Sequence, residues 1–249
     1  MAPEQDSGSG GSDAARGSDG RTARRVRKGA GRKARGQAAR RVRLQVDERR
    51  IRLIELGIQL FSTRSYEDIS IDDVAAAAGI SKGLLYHYFR SKQEFYVETI
   101  RAASLNLRRL TQPDPKLPPV ERLRAAIDAH LGYVHEHSRA YATIYRNGVA
   151  VAAEVGGILE EHREAVMRYF LQNLGIRRPP PVLRAALRGW ILMVEAASLD
   201  WIAHPELGRE DLRELLVASY AAMLAKALEI DPRGARVSKV MRNVRKESA

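Results

Sequence analysis

The side chains best suited to chemistry in this chain lie between residues 65 and 96, and the chemistry that they suit is contact with a polyanion. Ser81, Lys82 and Gly83 stand at the start of a short predicted helix. Free backbone N–H groups and the positive end of the helix dipole favour phosphate at such a position. Capping-box patterns at residues 70–73 and 91–94 begin the neighbouring helices. This arrangement predicts a helix-turn-helix, whose second helix enters the major groove of DNA.

Patterns typical of catalysis and of metal binding are missing from the sequence. The 249 residues include no cysteine, which excludes a disulfide scaffold, a thiolate metal site and a cysteine nucleophile. His130, His135 and His137 do not share one helical face, and Asp200 with His204 lacks a third ligand. No serine lies in a nucleophile elbow, and no predicted strand precedes a glycine-rich phosphate loop. We therefore expect no enzyme activity, no metal and no other cofactor.

The charge of the chain also favours a polyanionic partner. The 42 Lys and Arg residues against 30 Asp and Glu residues give a net charge of +12. Residues 1–46 alone hold 12 basic and 4 acidic residues, and their few apolar residues cannot repay the entropy of ordering. We expect a disordered basic arm there, which either tracks phosphates or is a passive leader. The absence of a long apolar run or an apolar leader segment predicts a cytoplasmic protein with no membrane partner.

The elements that must position these side chains are helices, because the apolar residues recur with a helical period. An apolar stripe behind an Asp47 N-cap predicts a first helix over about residues 47–63. Gly79 is the predicted turn inside the motif, and the prolines between residues 113 and 119 predict a boundary. Further helices are predicted over residues 118–137, 139–152, 154–174, 180–203 and 209–230. No segment alternates with a two-residue period, so the expected fold is all-α.

Residues 47–100 resemble the DNA-binding part of the tetracycline-repressor (TetR) type of bacterial transcription regulator. The resemblance rests on motifs at fixed spacing, namely Leu60-Phe61, Ile69-Ser70-Ile71, Val74-Ala75, Ala78-Gly79-Ile80-Ser81-Lys82-Gly83, Leu85-Tyr86-His87-Tyr88-Phe89 and Ser91-Lys92. Ser65 departs from the family pattern, which usually has glycine in that turn. Leu84 stands where a small hydroxyl residue is commoner, and it could pack on a thymine methyl group instead of donating a hydrogen bond.

The resemblance implies a division of the chain and a role for each residue of the motif. It implies a three-helix head with a connecting fourth helix at residues 47–110 and an effector-binding, dimerising body at residues 111–231. The segment after it, residues 232–249, is expected to be a basic flexible tail. The residues implied to hold phosphates are Ser70 and Lys92, those facing base edges or adjacent backbone are Ser81, Lys82, Gly83 and Leu84, and those at the groove wall are Tyr86, His87 and Tyr88. The alternatives are a packed ring for Tyr86, a solvated histidine for His87 and an idle surface lysine for Lys92.

Aromatic and apolar side chains of the predicted body have two interpretations. They form an ordinary core, or some of them line a pocket for an apolar or aromatic small molecule, as the resemblance implies. The candidates for such a pocket are Tyr133, Tyr141, Tyr145, Trp190 and Met193. The last two helices are apolar over more than one face, and the resemblance implies a four-helix interface between two protomers. The candidates for the interface are Leu183, Leu187, Ile191, Leu216, Tyr220 and Met223.

The function that these expectations imply is that of a dimeric regulator, in most cases a repressor, bound to double-stranded operator DNA. A small-molecule effector in the body would shift helix four and change the separation of the two recognition helices. The alternative is a helical small-molecule-binding or scaffold protein that does not read a DNA sequence. An electrophoretic shift with the DNA upstream of the coding region discriminates between the two.

Overall fold

The computed structural model describes residues 47–231, without the side chains of residues 147–150, and this part of the chain is all-α as predicted. The predicted basic arm and basic tail lie outside the described residues. Helix α1 covers residues 47–63 of the described range. The other helices are α2 (Ile71–Ala77), α3 (Lys82–Tyr88), α4 (Lys92–Leu110), α5 (Pro119–Glu136), α6 (Ser138–Val151), α7 (Ala153–Asn173), α8 (Pro181–Ala203) and α9 (Arg209–Ile230). None of these helices, as far as they are described, is long and apolar enough to cross a membrane.

Local hydrogen bonds set the ends of the helices in the predicted head. The Ser70 hydroxyl accepts from the Asp73 backbone N–H at 3.0 Å, and the Asp73 carboxylate accepts from the Ser70 N–H at 2.8 Å. Ser81 and Ser91 cap α3 and α4 in the same way, each accepting from the backbone N–H three residues later. Gly79 ends the turn with φ +64°, a left-handed conformation that glycine adopts without strain. These caps explain why the sequence predicts the helix starts so closely.

The core of the head holds α3 in place and continues into the body. The side chains of Leu85 on α3 and of Phe89, the C-cap of α3, are fully buried. Phe89 packs edge-to-face on Phe95 of α4 with the ring centroids 5.0 Å apart. The same buried cluster includes Val155 and Ile158 of α7. Residues 52–231 accordingly form one compact unit. Helices α4 and α7 therefore share one buried core with the helices of the predicted helix-turn-helix.

The core of the body corrects part of the predicted interface. Leu183, Leu187, Ile191 and Leu216 are buried inside the single chain. The prediction that these four side chains form a dimer interface is wrong for this structure, because a buried side chain has no surface to offer a partner. Tyr220 and Met223 are half-buried against the same clusters.

Other residues of the last two helices face outward and are also apolar. The outward stripe of α8 consists of Ala185, Gly189, Leu192 and Ala196, and that of α9 consists of Leu215, Ala218, Ala222 and Ala225. Leu215 is 59% exposed and Leu192 is 40% exposed. The spacing of three, four and seven residues places each set on one side of its helix. The small side chains permit another helix to approach closely.

Candidate DNA-binding surface and ligand cavity

The exposed face of α3 carries most of the predicted DNA-contacting residues. Ser81, Lys82, Gly83, Tyr86 and His87 are exposed, whereas Leu85 and Phe89 on the opposite face are buried. Leu84 and Tyr88 are half-buried, and Tyr88 packs against the head core. The helix is thus anchored by one face and presents the other, which is the arrangement that insertion into a groove requires.

Lys82 has an acidic partner that the sequence did not reveal. Its ammonium group donates to the Asp72 carboxylate at 2.8 Å, and this hydrogen bond raises the pKa of Lys82. Both side chains are more than half exposed. Asp72 therefore competes with any other acceptor for the Lys82 ammonium group. The ten-residue separation of the pair follows no helical spacing, so no sequence pattern points to it.

The two predicted phosphate contacts are held by their neighbours. The Lys92 ammonium group lies over the Tyr66 ring, 4.1 Å from its centroid, and this cation–π contact orients the lysine. The Ser70 hydroxyl donates to the Asp73 carboxylate at 2.7 Å as well as capping α2. The Ser70 hydroxyl thus has intramolecular partners of its own. Tyr66 was missed as a positioning residue, because it lies in the loop between α1 and α2.

A cavity of about 360 Å³ lies in the body between α4, α5, α7 and α8. Its apolar walls include Ile127, Val166, Phe170, Trp190 and Ile191. The polar side chains on its lining are Arg108, Arg109, Thr111, Gln112, His130, Tyr145, His162, Tyr169 and Glu195. A concave site with aromatic and aliphatic walls and polar side chains that converge on it is suited to a small molecule.

A second, smaller cavity of about 60 Å³ lies where the head meets the body, and it shares Tyr145 and His162 with the larger one. Tyr133, Tyr141 and Tyr145 line it, so three of the predicted pocket residues meet there, while Trp190 lines the larger cavity. Met193 lines neither of the two and is 37% exposed on the outer side of α8. The prediction that Met193 lines the pocket is therefore corrected, because its side chain is turned to the exposed surface of α8.

A third hollow of about 700 Å³ lies between α5, α7 and α9. Its charged side chains already have partners, since Arg124 binds Glu214 at 3.1 Å and Arg122 donates to Asn173 at 2.7 Å. No residue of α4 lines it. The 360 Å³ cavity is therefore the better candidate for a ligand that acts on the head.

Two histidines of the cavity are neutral near pH 7. Burial lowers the pKa of His130 to about 4, with a further contribution from nearby His162. Burial also lowers the pKa of His162 to about 4, helped by the charge of Arg108. The Ser198 hydroxyl donates to the Val194 carbonyl at 2.8 Å, so the His130 Nε2–H donates to Ser198 across 3.1 Å. This bond assigns the Nε2–H tautomer to His130.

We expect the chain to lose stability as the pH falls below 6.5, the ordinary pKa of histidine. The folded state binds fewer protons on His130 and His162 than the unfolded chain, so acid favours unfolding through the window from about 6.5 down to about 4. The free energy of unfolding in urea should be lower at about pH 5 than at about pH 7. These two histidines should account for roughly 2 kcal/mol or more of that difference. The His130→Gln/His162→Gln variant should lose most of this difference, and the control His204→Gln, an exposed histidine, should keep it.

Glu195 and Arg163 form a nearly buried ion pair at the wall of the cavity. The guanidinium donates to both carboxylate oxygens, at 2.8 to 3.1 Å, and the side chains are 21% and 10% exposed for Arg163 and Glu195. Burial raises the pKa of Glu195, and the hydrogen bonds from Arg163 oppose that rise. Those same bonds raise the pKa of Arg163. Because the Arg163 charge already compensates the Glu195 carboxylate, a second cation gains little there.

Comparisons with known proteins agree with the arrangement of a small helical head and a larger helical body. The family described as "Bacterial regulatory proteins, tetR family" matches residues 53–99, and the family described as "Tetracyclin repressor-like, C-terminal domain" matches residues 119–223. The chain shares 31% sequence identity with a tetR-family transcriptional regulator from Streptomyces coelicolor whose crystal structure is known. It superimposes with a TM-score of 0.73, over 79% of this chain and 89% of that one.

Two relatives have named regulatory roles. The transcriptional activator FasR of Mycolicibacterium smegmatis is 32% identical over 144 residues, which is 54% of this chain. The transcriptional repressor KstR2 of Mycobacterium tuberculosis is 36% identical over 109 residues, which is 43% of this chain. The chain spans 64% and 54% of the lengths of these two curated relatives.

Proposed function

We propose, from the premise that the chain belongs to the TetR family of bacterial transcriptional regulators, that it is a dimeric repressor released from operator DNA by a small-molecule effector. The observation that supports DNA binding is the position of α3. Its buried face fixes it to the head, and its exposed face offers Lys82, Tyr86 and the capped N-terminus to a major groove.

The proposed route from ligand to DNA runs along α4. Phe95, Tyr96 and Ile100 in its first half are buried in the head, whereas Leu105 and Arg108 in its second half line the body cavity. A ligand that fills the cavity displaces the second half, and a continuous helix transmits the displacement to the head. In a dimer this changes the separation of the two α3 helices. That separation must match about one turn of DNA, roughly 34–36 Å, or a multiple of it.

The operator contacts are tested by an electrophoretic shift with the DNA upstream of the coding region. Lys92→Ala should weaken binding about equally on operator and on random DNA and lower the salt slope by about 1, since a phosphate contact carries no base information. Lys82→Ala should change the preference at one operator position by roughly 1–3 kcal/mol if Lys82 contacts a base edge. Lys116→Ala, in an exposed loop of the body, is the matched control. Absence of any shift with the wild-type protein would favour the scaffold alternative.

The proposed dimer interface consists of the outward stripes of α8 and α9 defined above. Two such stripes from each protomer would form a four-helix bundle, in which alanine and glycine let the helices approach closely. Exposed leucines next to small residues are the composition that a partner would cover.

We expect the wild-type chain to sediment at twice its 27.8 kDa monomer mass at micromolar concentration. Ala222→Glu should convert it to a monomer, because a carboxylate in a dry helix contact has no partner. Ala153→Glu, at an exposed position of α7, should leave the dimer intact. Equal sedimentation of all three proteins would place the interface elsewhere.

The direction of regulation is tested separately, because the relatives named above include both an activator and a repressor. Deleting the gene should raise transcription from its own upstream region if the protein is a repressor. A fall in transcription would instead assign the role of an activator and leave the DNA contacts unaffected.

A further inference from the structure

We infer that the 360 Å³ cavity takes a ligand with an apolar, ring-sized body and one anionic group, and that the anionic group binds Arg108 at the cavity mouth. The inference rests on the proposed function, because it specifies the chemistry of the effector that the cavity would hold.

The walls select an apolar body. Phe170 and Trp190 lie edge-to-face with their ring centroids 5.3 Å apart, and both line the cavity together with aliphatic residues of α5, α7 and α8. The indole N–H of Trp190 donates to the Leu216 carbonyl at 3.1 Å, so the ring offers the cavity only its apolar surface. Burial of apolar ligand surface against such walls supplies most of the binding free energy.

The mouth of the cavity is marked by the end of α4. Leu105, which is 52% exposed, lines the cavity together with Arg109 and Gln112, which are also exposed. Arg108 stands between them, half-buried, and its charge reaches His162 and depresses the pKa of that imidazole. The Arg108 guanidinium is thus close to the interior of the cavity as well as to its mouth.

Positive charge at the cavity lacks a counter-charge. Among residues 47–231, Arg108 forms no ion pair with a carboxylate. The Arg109 guanidinium donates to the neutral amide oxygen of Asn106 at 3.1 Å. The carboxylate on the lining belongs to Glu195, and both its oxygens accept from Arg163. The two histidines on the lining are neutral near pH 7, as described above.

This charge pattern discriminates between ligand classes. A cationic ligand would be repelled by Arg108 and would find no free carboxylate. A neutral ligand would cover Arg108 and remove water from the guanidinium without replacing its hydrogen bonds. An anionic ligand supplies the missing acceptor in a charge-assisted, two-point contact. A carboxylate, a sulfonate and a phosphate all fit this contact, since the N–H groups of the guanidinium can donate to the oxygens of each.

The experiment uses two fluorescent probes that share one ring system, 8-anilinonaphthalene-1-sulfonate and N-phenyl-1-naphthylamine, of which only the first carries a charge. Each is titrated into the full chain and followed by the rise in emission in an apolar site. The wild-type protein should bind the sulfonate about tenfold more tightly than the uncharged amine, since one charge-assisted contact is worth roughly that factor. Arg108→Gln should remove this preference and change the affinity for the amine less than twofold.

A cavity-filling variant and a control variant locate the probes. Ala165 lines the cavity, and Ala165→Phe should abolish the binding of both probes by filling it. If that variant does not melt as the wild type does, Ala126→Leu, which lies on α5 and also lines the cavity, replaces it with the same expected result. Arg184→Gln, at an exposed position of α8 away from the cavity lining, should leave both affinities unchanged.

The results that would overturn the inference are specific. Equal losses for both probes in Arg108→Gln, or no loss for either, would show that Arg108 does not select an anion. If a folded variant with a filled cavity binds the sulfonate with the affinity of the wild-type protein, the probe binds elsewhere. Neither result would touch the proposed DNA binding, which the electrophoretic shift tests without any ligand.

Discussion

Arg163→Met should lower the free energy of unfolding by about 3 kcal/mol at neutral pH, because it leaves the Glu195 carboxylate buried without its partner. Residue Glu195 is 7% exposed, and its two carboxylate oxygens accept hydrogen bonds from the Arg163 guanidinium. Once Arg163 is replaced, the hydrogen bonds that oppose the effect of burial are lost, and the pKa of Glu195 rises further. Urea unfolding followed by far-ultraviolet circular dichroism measures the loss.

The sign of the pH dependence separates this mechanism from lost packing. A carboxyl whose pKa is raised in the folded state binds more protons there than in the unfolded chain, so its contribution to stability falls as the pH rises. Arg163→Met should therefore be more destabilising at about pH 8 than at about pH 5. The double variant Arg163→Met/Glu195→Leu should recover most of the loss, because no charge is left buried. A loss that is independent of pH and persists in the double variant would argue for packing instead.

Gly57→Val should destabilise the head by about 3 kcal/mol and abolish the electrophoretic shift. A Cβ atom at this position of α1 would lie 2.5 Å from the Thr99 hydroxyl oxygen and 2.7 Å from Phe95 Cζ, both on α4. Neither neighbour can move freely, since the Thr99 hydroxyl donates to the Phe95 carbonyl at 2.8 Å and the Phe95 ring is fully buried. α1 and α4 would therefore have to separate, and the core that holds α3 would open.

The same substitution at Gly157 is the matched control. Gly157 lies in α7, is exposed, and a Cβ atom there would meet nothing within 4 Å. Gly157→Val should change stability by less than about 0.5 kcal/mol, because valine and glycine differ little in helix propensity. Similar losses for the two variants would mean that helix propensity, and not the approach of α1 to α4, sets the cost at Gly57.

The helix-turn-helix could be predicted from sequence because its determinants are local. Ser70, Ser81 and Ser91 each bond a backbone N–H three residues away, and Gly79 supplies the left-handed turn. Such contacts depend on short spacings that the sequence displays directly. The helical period likewise predicts the order and the approximate ends of the helices of the body.

Tertiary structure decided which of several apolar faces is buried. Leu187 and Leu192 both belong to apolar stripes of α8, yet Leu187 is buried and Leu192 is 40% exposed. The sequence shows that each stripe exists, but it does not show which one the neighbouring helices cover. The choice depends on the rotation of α8 against α9 and α5, which is a property of the packed chain. For that reason the interface predicted at Leu183, Leu187, Ile191 and Leu216 proved to be core.

Contacts between distant residues were likewise beyond the sequence. The hydrogen bond between His130 and Ser198 joins residues 68 apart, and the pair of Arg163 and Glu195 joins residues 32 apart. No spacing rule links such partners, because the chain between them can take many paths. The sequence by itself determined a helical chain with a capped DNA-binding motif. Only the packing of α4, α5, α7 and α8 decided which histidines are buried and where a cavity lies between these helices.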